Sequence, residues 1–249
     1  MQRVVVPSAA LEAASILREE ILRDIKDDEW LLGSEDEVMR SLEVSRPTLR
    51  QALRLLEQEQ LVSVRRGVGG GLFARRPTEE GVTHTASVYL RAAGTSYGDL
   101  IASLSVLSTH AARNAAENPD LEARQRLSDY YPQVLRDINA TELPGEEFVV
   151  IAGRFYVLLG EVAKSPTLAL FISVLIELAR PAAGRSLYTA ERIGQTVERH
   201  TLVAAAVLAG KSELAARRMR THTQDVLHWT DESMRLESMY PGHRMSQRR

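Results

Sequence analysis

The chain has 249 residues, of which 44% are hydrophobic and 26% are charged. That length suits one large domain or a small domain joined to a larger one. The chain contains no cysteine, which excludes disulfides and cysteine-ligated metals and is compatible with a cytoplasmic location. No apolar run approaches the roughly eighteen residues of a membrane-spanning helix. The first residues also lack a secretion signal, so we expect neither a membrane span nor export.

Positive charge is concentrated in one segment, although the formal net charge of the whole chain is −2. Residues 1–39 carry four Lys or Arg and ten Asp or Glu, whereas residues 40–76 carry eight Arg and three Glu. A local basic segment of this kind indicates contact with a polyanion such as DNA. A solvated, arginine-rich helix is the alternative that charge alone leaves open.

The segment Arg75-Arg76-Pro77-Thr78 interrupts the local pattern and is typical of a linker. Short helical and strand patterns precede it, and long helical patterns follow it. We therefore predict a DNA-binding domain at residues 1–76, a larger helical domain at residues 77–240 and a basic tail at residues 241–249.

The first elements of the chain are predicted to be two helices joined by a turn. Apolar residues recur at helical spacing from about Ser8 to Asp28. Leu31-Leu32-Gly33 then reads as a turn. Ser34, followed three residues later by Glu37, has the form of a capping box and predicts a short second helix that ends near Leu42.

The third predicted helix, from Arg46 to about Glu59, has one apolar and one basic side. Ser45 is expected to cap it, and Pro47 is tolerated because it lies in the first turn. The apolar side holds Leu49, Ala52, Leu53, Leu55 and Leu56. The opposite side holds Arg46, Arg50, Gln51 and Arg54. An apolar back and a cationic front are what a DNA-reading helix needs.

A β-hairpin is predicted after the third helix. Leu61–Arg65 and Leu72–Ala74 read as short strands, and Arg66–Gly71 joins them with several glycines. Glycine allows positive φ and lets the backbone approach a phosphate closely. Arg65 and Arg66 stand at the base of this tip, where they can enter a minor groove or hold phosphates. A plain hairpin with a flexible loop is the alternative.

These motifs resemble the winged helix-turn-helix of the GntR family. The resemblance rests on Ser34-Glu-Asp-Glu-Val, on Val44-Ser-Arg-Pro-Thr-Leu-Arg-Gln-Ala-Leu-Arg-Leu-Leu-Glu57, and on Leu61-Val to Gly71-Leu-Phe73. It implies a third helix in the major groove and a wing beside it. The DNA-binding residues that we expect on this basis are Ser34, Ser45, Arg46, Thr48, Arg50, Arg54, Arg65, Arg66, Gly67 and Gly69.

Two positions depart from the family pattern. Gly33 stands where the family usually has proline. Asp36 stands where some members carry a DNA-contacting arginine, so one possible contact of the second helix is removed. The third helix and the wing are left to bind DNA.

The remainder of the chain reads as about six helices in an antiparallel bundle. The turn signals Asn118-Pro119, Leu143-Pro144-Gly145 and Ser165-Pro166 separate some of them, and the last is expected to split at Gly210-Lys211. The predicted spans are 80–93, 98–117, 121–138, 146–164, 167–182 and 189–233. The predicted fold class is therefore mostly α, with three helices and a β-hairpin followed by an all-α bundle.

The order of these helices is similar to the FadR-type effector domain of GntR regulators, called FCD. That resemblance rests on Phe155-Tyr156, Glu161, Ser165-Pro166, His200, Ala204–Gly210, Met219 and His222. Many members hold a divalent metal through four side chains, and the corresponding positions here are Ala152, Tyr156, His200 and His222. Only the two histidines can serve as ligands, so we expect no tightly bound metal and no cofactor.

The same resemblance implies a small-molecule pocket in the bundle. Many members carry an arginine and a glutamate at positions that here hold Leu104 and Ser108. Leucine cannot bind a carboxylate as arginine does, so we expect an apolar or acyl-type effector. The expected ligand-binding residues are Leu104, Ser108, Tyr156, His200 and His222. As alternatives, Leu104 is simply core and the histidines satisfy backbone carbonyls.

Together these observations predict a dimeric bacterial transcription regulator that binds a palindromic operator and responds to a small-molecule effector. A metal-dependent enzyme built on the helical bundle is one alternative, but the sequence has no HExxH, P-loop, GxGxxG or GxSxG motif. A DNA-binding protein without an effector is the other. Binding of a metabolite that changes operator affinity would favour the regulator over both.

Overall fold

The computed structural model describes residues 8–25, 27–67, 69–135 and 144–239. Within these helices the side chains of residues 80, 146, 181–186 and 233–239 are not described. The chain divides into two compact units, Met1–Val82 and Thr83–Arg249. The end of the predicted helix 121–138, at residues 136–138, and the predicted basic tail lie outside the described residues.

The N-terminal unit combines three helices with a three-stranded antiparallel sheet. Its elements in chain order are α1 Ser8–Arg23, β1 Glu29–Gly33, α2 Glu35–Ser41, α3 Arg46–Gln58, β2 Val62–Arg65 and β3 Gly71–Arg75. The strand order is β1-β3-β2. Leu17, Leu49, Leu56 and Leu72 lie in its hydrophobic core. This arrangement is a winged helix-turn-helix.

The predicted turn at Leu31-Leu32-Gly33 is wrong, because these residues belong to β1. Leu31 pairs with Phe73 of β3, and Gly33 pairs with Leu72 after an irregularity in the register. The strand is specified by a partner about forty residues away in sequence, and such pairing overrides weak local signals. The first helix is also shorter than predicted: it ends at Arg23, before the acidic residues Asp24, Asp27 and Asp28, which the negative end of a helix dipole disfavours.

Both predicted helix caps in this unit are confirmed. Ser34 accepts a hydrogen bond from the backbone N–H of Glu37 at 3.2 Å, and the Glu37 carboxylate accepts one from the Ser34 N–H at 2.7 Å. These bonds lower the pKa of Glu37. Ser45 caps α3 by accepting from the N–H of Thr48. The caps satisfy backbone donors that would otherwise lack partners and fix where α2 and α3 begin.

The second unit is a bundle of helices, as predicted. Its helices, together with the helix that joins it to the first unit, are α4 Glu79–Ala92, α5 Tyr97–Glu117, α6 Leu121–Val134, α7 Gly145–Val162, α8 Pro166–Leu187, α9 Ala190–Leu208 and α10 Ser212–Met239. The last predicted helix does split at Gly210, which has a φ of +68°. The predicted span 167–182 is too short, since α8 continues to Leu187, which is buried.

Helix α5 is the centre of the bundle, because it packs against α7, α8, α9 and α10. The largest fully buried side chains of this unit include Phe148, Phe155, Leu159, Ile172 and Met219. Among the helices that the structure describes, none is long and apolar enough to cross a membrane.

Candidate nucleic-acid interface and bundle cavity

Helix α3 buries one side and exposes the other, as its sequence predicts. Leu49, Ala52, Leu53 and Leu56 are buried, whereas Arg46, Arg50, Gln51 and Arg54 are exposed. The buried residues fix the helix on the core of the N-terminal unit. The exposed arginines stand at spacings of four residues and form a single stripe that can face a duplex.

Two arginines of this stripe form ion pairs with α2, which the sequence reasoning missed. Asp36 lies 2.5 Å from Nη2 of Arg46, and a Glu35 oxygen lies 3.5 Å from Nη1 of the same guanidinium. The other Glu35 oxygen accepts from Nε of Arg50 at 3.0 Å. The Arg46 and Arg50 side chains remain 48% and 62% exposed. The pairing therefore leaves both accessible to a ligand.

A groove of about 520 Å³ runs between α3 and the β2–β3 hairpin. It brings together six of the predicted DNA-binding residues, namely Ser34, Arg50, Arg54, Arg65, Arg66 and Gly67. The other four, Ser45, Arg46, Thr48 and Gly69, do not line it. Arg54 and Arg66 are exposed, and neither forms an ion pair with any residue that the structure describes. They are available to bind phosphates.

The two arginines of the hairpin differ in their surroundings. Arg65 forms an ion pair with Glu29 of β1, and its guanidinium lies 4.4 Å from the centre of the Phe73 ring. Ser63 donates a hydrogen bond to the same Glu29 at 2.9 Å. Arg65 is thus held on the sheet, whereas Arg66 follows the last residue of β2. The two arginines differ because only Arg65 pairs with Glu29 of β1.

The hairpin tip is built from four described glycines. Gly67 and Gly69 have φ values of +95° and +76°, which side chains rarely adopt. A Cβ on Gly70 would lie 2.5 Å from the carbonyl oxygen of Arg65. A Cβ on Gly71 would lie 3.0 Å from the carbonyl oxygen of Gly33 and 2.9 Å from the end of the Leu31 side chain. The tip is therefore a narrow stretch of nearly bare backbone.

In the bundle, His200 and His222 lie side by side and are completely buried. Their rings are 4.4 Å apart, and Phe155 stacks on His200 at 4.1 Å. Burial lowers the pKa of His200 well below its ordinary value and that of His222 to about 3. Both imidazoles are consequently neutral at pH 7.

Tyr131 fixes the orientation of one of these rings. Burial raises the pKa of Tyr131 well above 10, so its phenol is protonated. The phenol oxygen shares a hydrogen bond of 2.7 Å with Nδ1 of His200, in which the tautomer of His200 decides which atom donates. Nε2 of the neutral His200 ring has no hydrogen-bond partner among the described residues. The same is true of both ring nitrogens of His222. Three polar ring atoms in the bundle centre are left for a ligand or water.

The residues at the family's metal positions do not fit a divalent metal. Ala152 supplies no ligand atom, and burial raises the pKa of Tyr156 well above 10, which opposes the phenolate that a metal would require. Among the side chains that the structure describes, no group of three or more His, Asp or Glu could hold an ion. The predicted absence of a tightly bound metal stays a prediction.

A small cavity of about 30 Å³ lies between α5, α7 and α8. Such a volume holds one or two water molecules. Of the predicted ligand-binding residues, Leu104 and Tyr156 line it, whereas Ser108, His200 and His222 do not. The hydroxyl of Ser108 donates instead to the Leu104 carbonyl at 2.6 Å.

Several polar residues at this cavity were missed by the sequence reasoning. They are Tyr97, Tyr188 and Arg180. Burial raises the pKa of Tyr188 to about 12, so that phenol is protonated. Arg180 is half exposed and lies 2.8 Å from Glu177 one turn earlier. Arg180 is a single arginine before a proline, and no pattern in the sequence around it predicts that it lies at the cavity.

Comparison with known proteins agrees with this architecture. The model for "Bacterial regulatory proteins, gntR family" matches residues 9–71, and the FCD domain model matches residues 99–225. No curated protein matches the chain in sequence.

A solved structure shows the same fold. The chain is similar to a GntR protein of Streptococcus agalactiae, with 17% identity, a TM-score of 0.68, and coverage of 88% of this chain and 99% of that one. A putative GntR regulator of Rhodococcus sp. RHA1 is 22% identical, with a TM-score of 0.42 and coverage of 91% and 99%. The two family models together account for the helix-turn-helix and most of the bundle. The chain belongs to the GntR family of DNA-binding transcription regulators, as a member with a C-terminal FCD domain.

Proposed function

We propose that this regulator is a cytoplasmic homodimer that binds a short palindromic operator and responds to a small-molecule effector. The observation that carries the DNA part is the exposed arginine stripe of α3 beside a glycine-rich hairpin. A two-fold symmetric protein matches a palindromic site, and bacterial operators lie in the cytoplasm. Sedimentation of the protein with and without operator measures its oligomeric state.

The proposed base contacts come from the N-terminal end of α3. Arg46 and Arg50 are exposed there and Thr48 is half-buried between them, as expected of side chains that enter a major groove. Phosphate contacts are proposed for Ser34 and Ser45, the N-cap residues of α2 and α3, and for Arg54. Gly67 and Gly69 let the hairpin backbone approach the duplex.

The two hairpin arginines should contribute unequally to DNA binding. Because Arg66 has no acidic partner among the described residues, Arg66→Ala should reduce the slope of log K against log salt by about one unit per protomer. Arg65→Ala should have a smaller effect, since Glu29 already neutralises that guanidinium. Fluorescence anisotropy across a salt series measures both slopes. Equal slopes in wild type and Arg66→Ala would show that Arg66 does not bind a phosphate.

The effector is proposed to have an apolar body and one carboxylate. Leu104, Ala152 and Tyr156 give the cavity an apolar lining, and Arg180 at its edge can bind an anion. The cavity is small, so a larger ligand must widen it. Widening toward His200 and His222 would reach their unpartnered ring nitrogens, which is why these histidines and Ser108 stay in the proposed pocket.

A thermal-shift series tests this effector class. Straight-chain monocarboxylates of two to eight carbons and benzoate should raise the melting temperature, because a ligand at about 100 times its Kd stabilises the folded state by about 2.7 kcal/mol. Citrate should not, because the pocket offers a single arginine. Arg180→Ala should abolish the shift, whereas Arg154→Ala, an exposed arginine of α7, should keep it. A shift with citrate alone would contradict the proposed chemistry.

A further inference from the structure

The acidic first turn of α2 and the arginines of α3 form one charge-balanced cluster. Its members are Glu35, Asp36, Arg46 and Arg50. The Arg46 guanidinium lies between two carboxylates, one at each terminal nitrogen. The Ser34–Glu37 capping box fixes the backbone that carries the acids. Two negative charges thus stand on the side of the molecule that approaches a polyanion.

Stability does not explain this cluster. All four side chains are partly exposed, and exposed ion pairs typically contribute little to the free energy of folding. Their electrostatic effect on DNA binding is larger. Affinity for any duplex grows with each phosphate that a cation neutralises, and an arginine already paired with a carboxylate adds little to that count. The acids therefore weaken binding that depends only on the phosphate backbone.

The pairing leaves the hydrogen-bonding capacity of Arg46 incomplete. A guanidinium has five N–H donors, and one carboxylate at each terminal nitrogen leaves several donors directed elsewhere. A base edge with two acceptors, such as that of guanine, can use them. An orientation already fixed by Asp36 also reduces the side-chain entropy that binding would otherwise cost.

We propose that Glu35 and Asp36 are specificity-determining residues, acting as internal counterions that suppress binding to arbitrary DNA and orient Arg46 toward bases. Non-operator duplexes then meet a nearly neutral α2–α3 surface. At an operator, the oriented Arg46 makes its base contact, so the affinity of the protein for the operator is retained. Specificity in this protein comes partly from charge that opposes the wrong sites.

The experiment compares two duplexes with the full-length protein. One is an operator selected by the wild-type protein from a randomised pool, and the other is a random-sequence duplex of equal length. Binding is measured by fluorescence anisotropy over a salt series for Asp36→Asn and Glu35→Gln. Glu12→Gln, which removes an exposed carboxylate of α1 that pairs with neither arginine, is the matched charge control.

Asp36→Asn should bind the random duplex about three- to tenfold more tightly at low salt, with a salt slope steeper by about one unit per released arginine. Its operator affinity should stay equal or fall, so the specificity ratio drops. Glu12→Gln should change neither affinity by more than about twofold. A variant that merely unfolds would lose affinity for both duplexes, so it could not bind the random duplex more tightly. An equal gain on both duplexes, or no gain beyond that of Glu12→Gln, would overturn the proposal.

Discussion

Replacing Arg46 or Arg50 by alanine should sharply reduce operator binding and leave the fold intact. An arginine-to-guanine contact is typically worth about 1–3 kcal/mol in discrimination. In the proposed homodimer each substitution removes two such contacts, so the loss should be about 2–6 kcal/mol, or roughly 30- to 10⁴-fold in Kd. Both side chains are exposed, and their removal should change the free energy of unfolding little.

The paired acids make the expected loss at Arg46 the larger of the two. Arg46→Ala leaves Asp36 without its partner, and that carboxylate then repels the phosphates. The double variant Arg46→Ala with Asp36→Asn should therefore recover affinity for random DNA without recovering operator preference. Arg23→Ala, at the exposed end of α1, controls for the loss of one positive charge. Unchanged operator affinity in both single variants would rule out α3 as the reading helix.

Phe155→Ala should destabilise the helical bundle by about 3–5 kcal/mol. Phe155 is completely buried, stacks on His200, and lies 5.8 Å from the Tyr131 ring. Its loss would leave a void beside a histidine that already has an unpartnered nitrogen, and water entering there would meet an apolar lining. Urea unfolding, followed by the fluorescence of buried Trp229 in a Trp30→Phe background, reports on the bundle unit separately.

The matched control is the same substitution at an exposed phenylalanine. Phe171 on α8 is 52% exposed, so Phe171→Ala should change stability by less than about 1 kcal/mol. Circular dichroism of both variants distinguishes a loosened bundle from a lost one. Similar unfolding midpoints for the two variants would show that Phe155 packs less tightly than its contacts indicate.

The features that the sequence predicts well are local ones. The two sides of α3, the caps at Ser34 and Ser45 and the break at Gly210 each depend on residues within a few positions of one another. The family resemblance adds the order of the elements. These signals suffice for the winged helix-turn-helix and for the helical bundle.

The features that the sequence does not predict depend on distant partners. Strand β1 exists because β3 pairs with it, and no local alternation marks Leu31-Leu32-Gly33 as a strand. Three further features depend on how each helix is rotated about its axis, to within a fraction of a turn. They are the α2–α3 ion pairs, the hydrogen bond between Tyr131 and His200, and the position of Arg180 at the cavity. A periodicity of apolar residues gives the face of a helix but not that rotation.

The hairpin tip has a consequence for how this protein can evolve. At Gly67 and Gly69 any side chain would meet backbone strain, whereas at Gly70 and Gly71 it would collide with neighbouring atoms. Two independent constraints thus disfavour replacement of these four glycines. We expect a lineage that acquires a new operator to change the arginines that flank the tip or the exposed positions of α3, and to keep the shape of the tip.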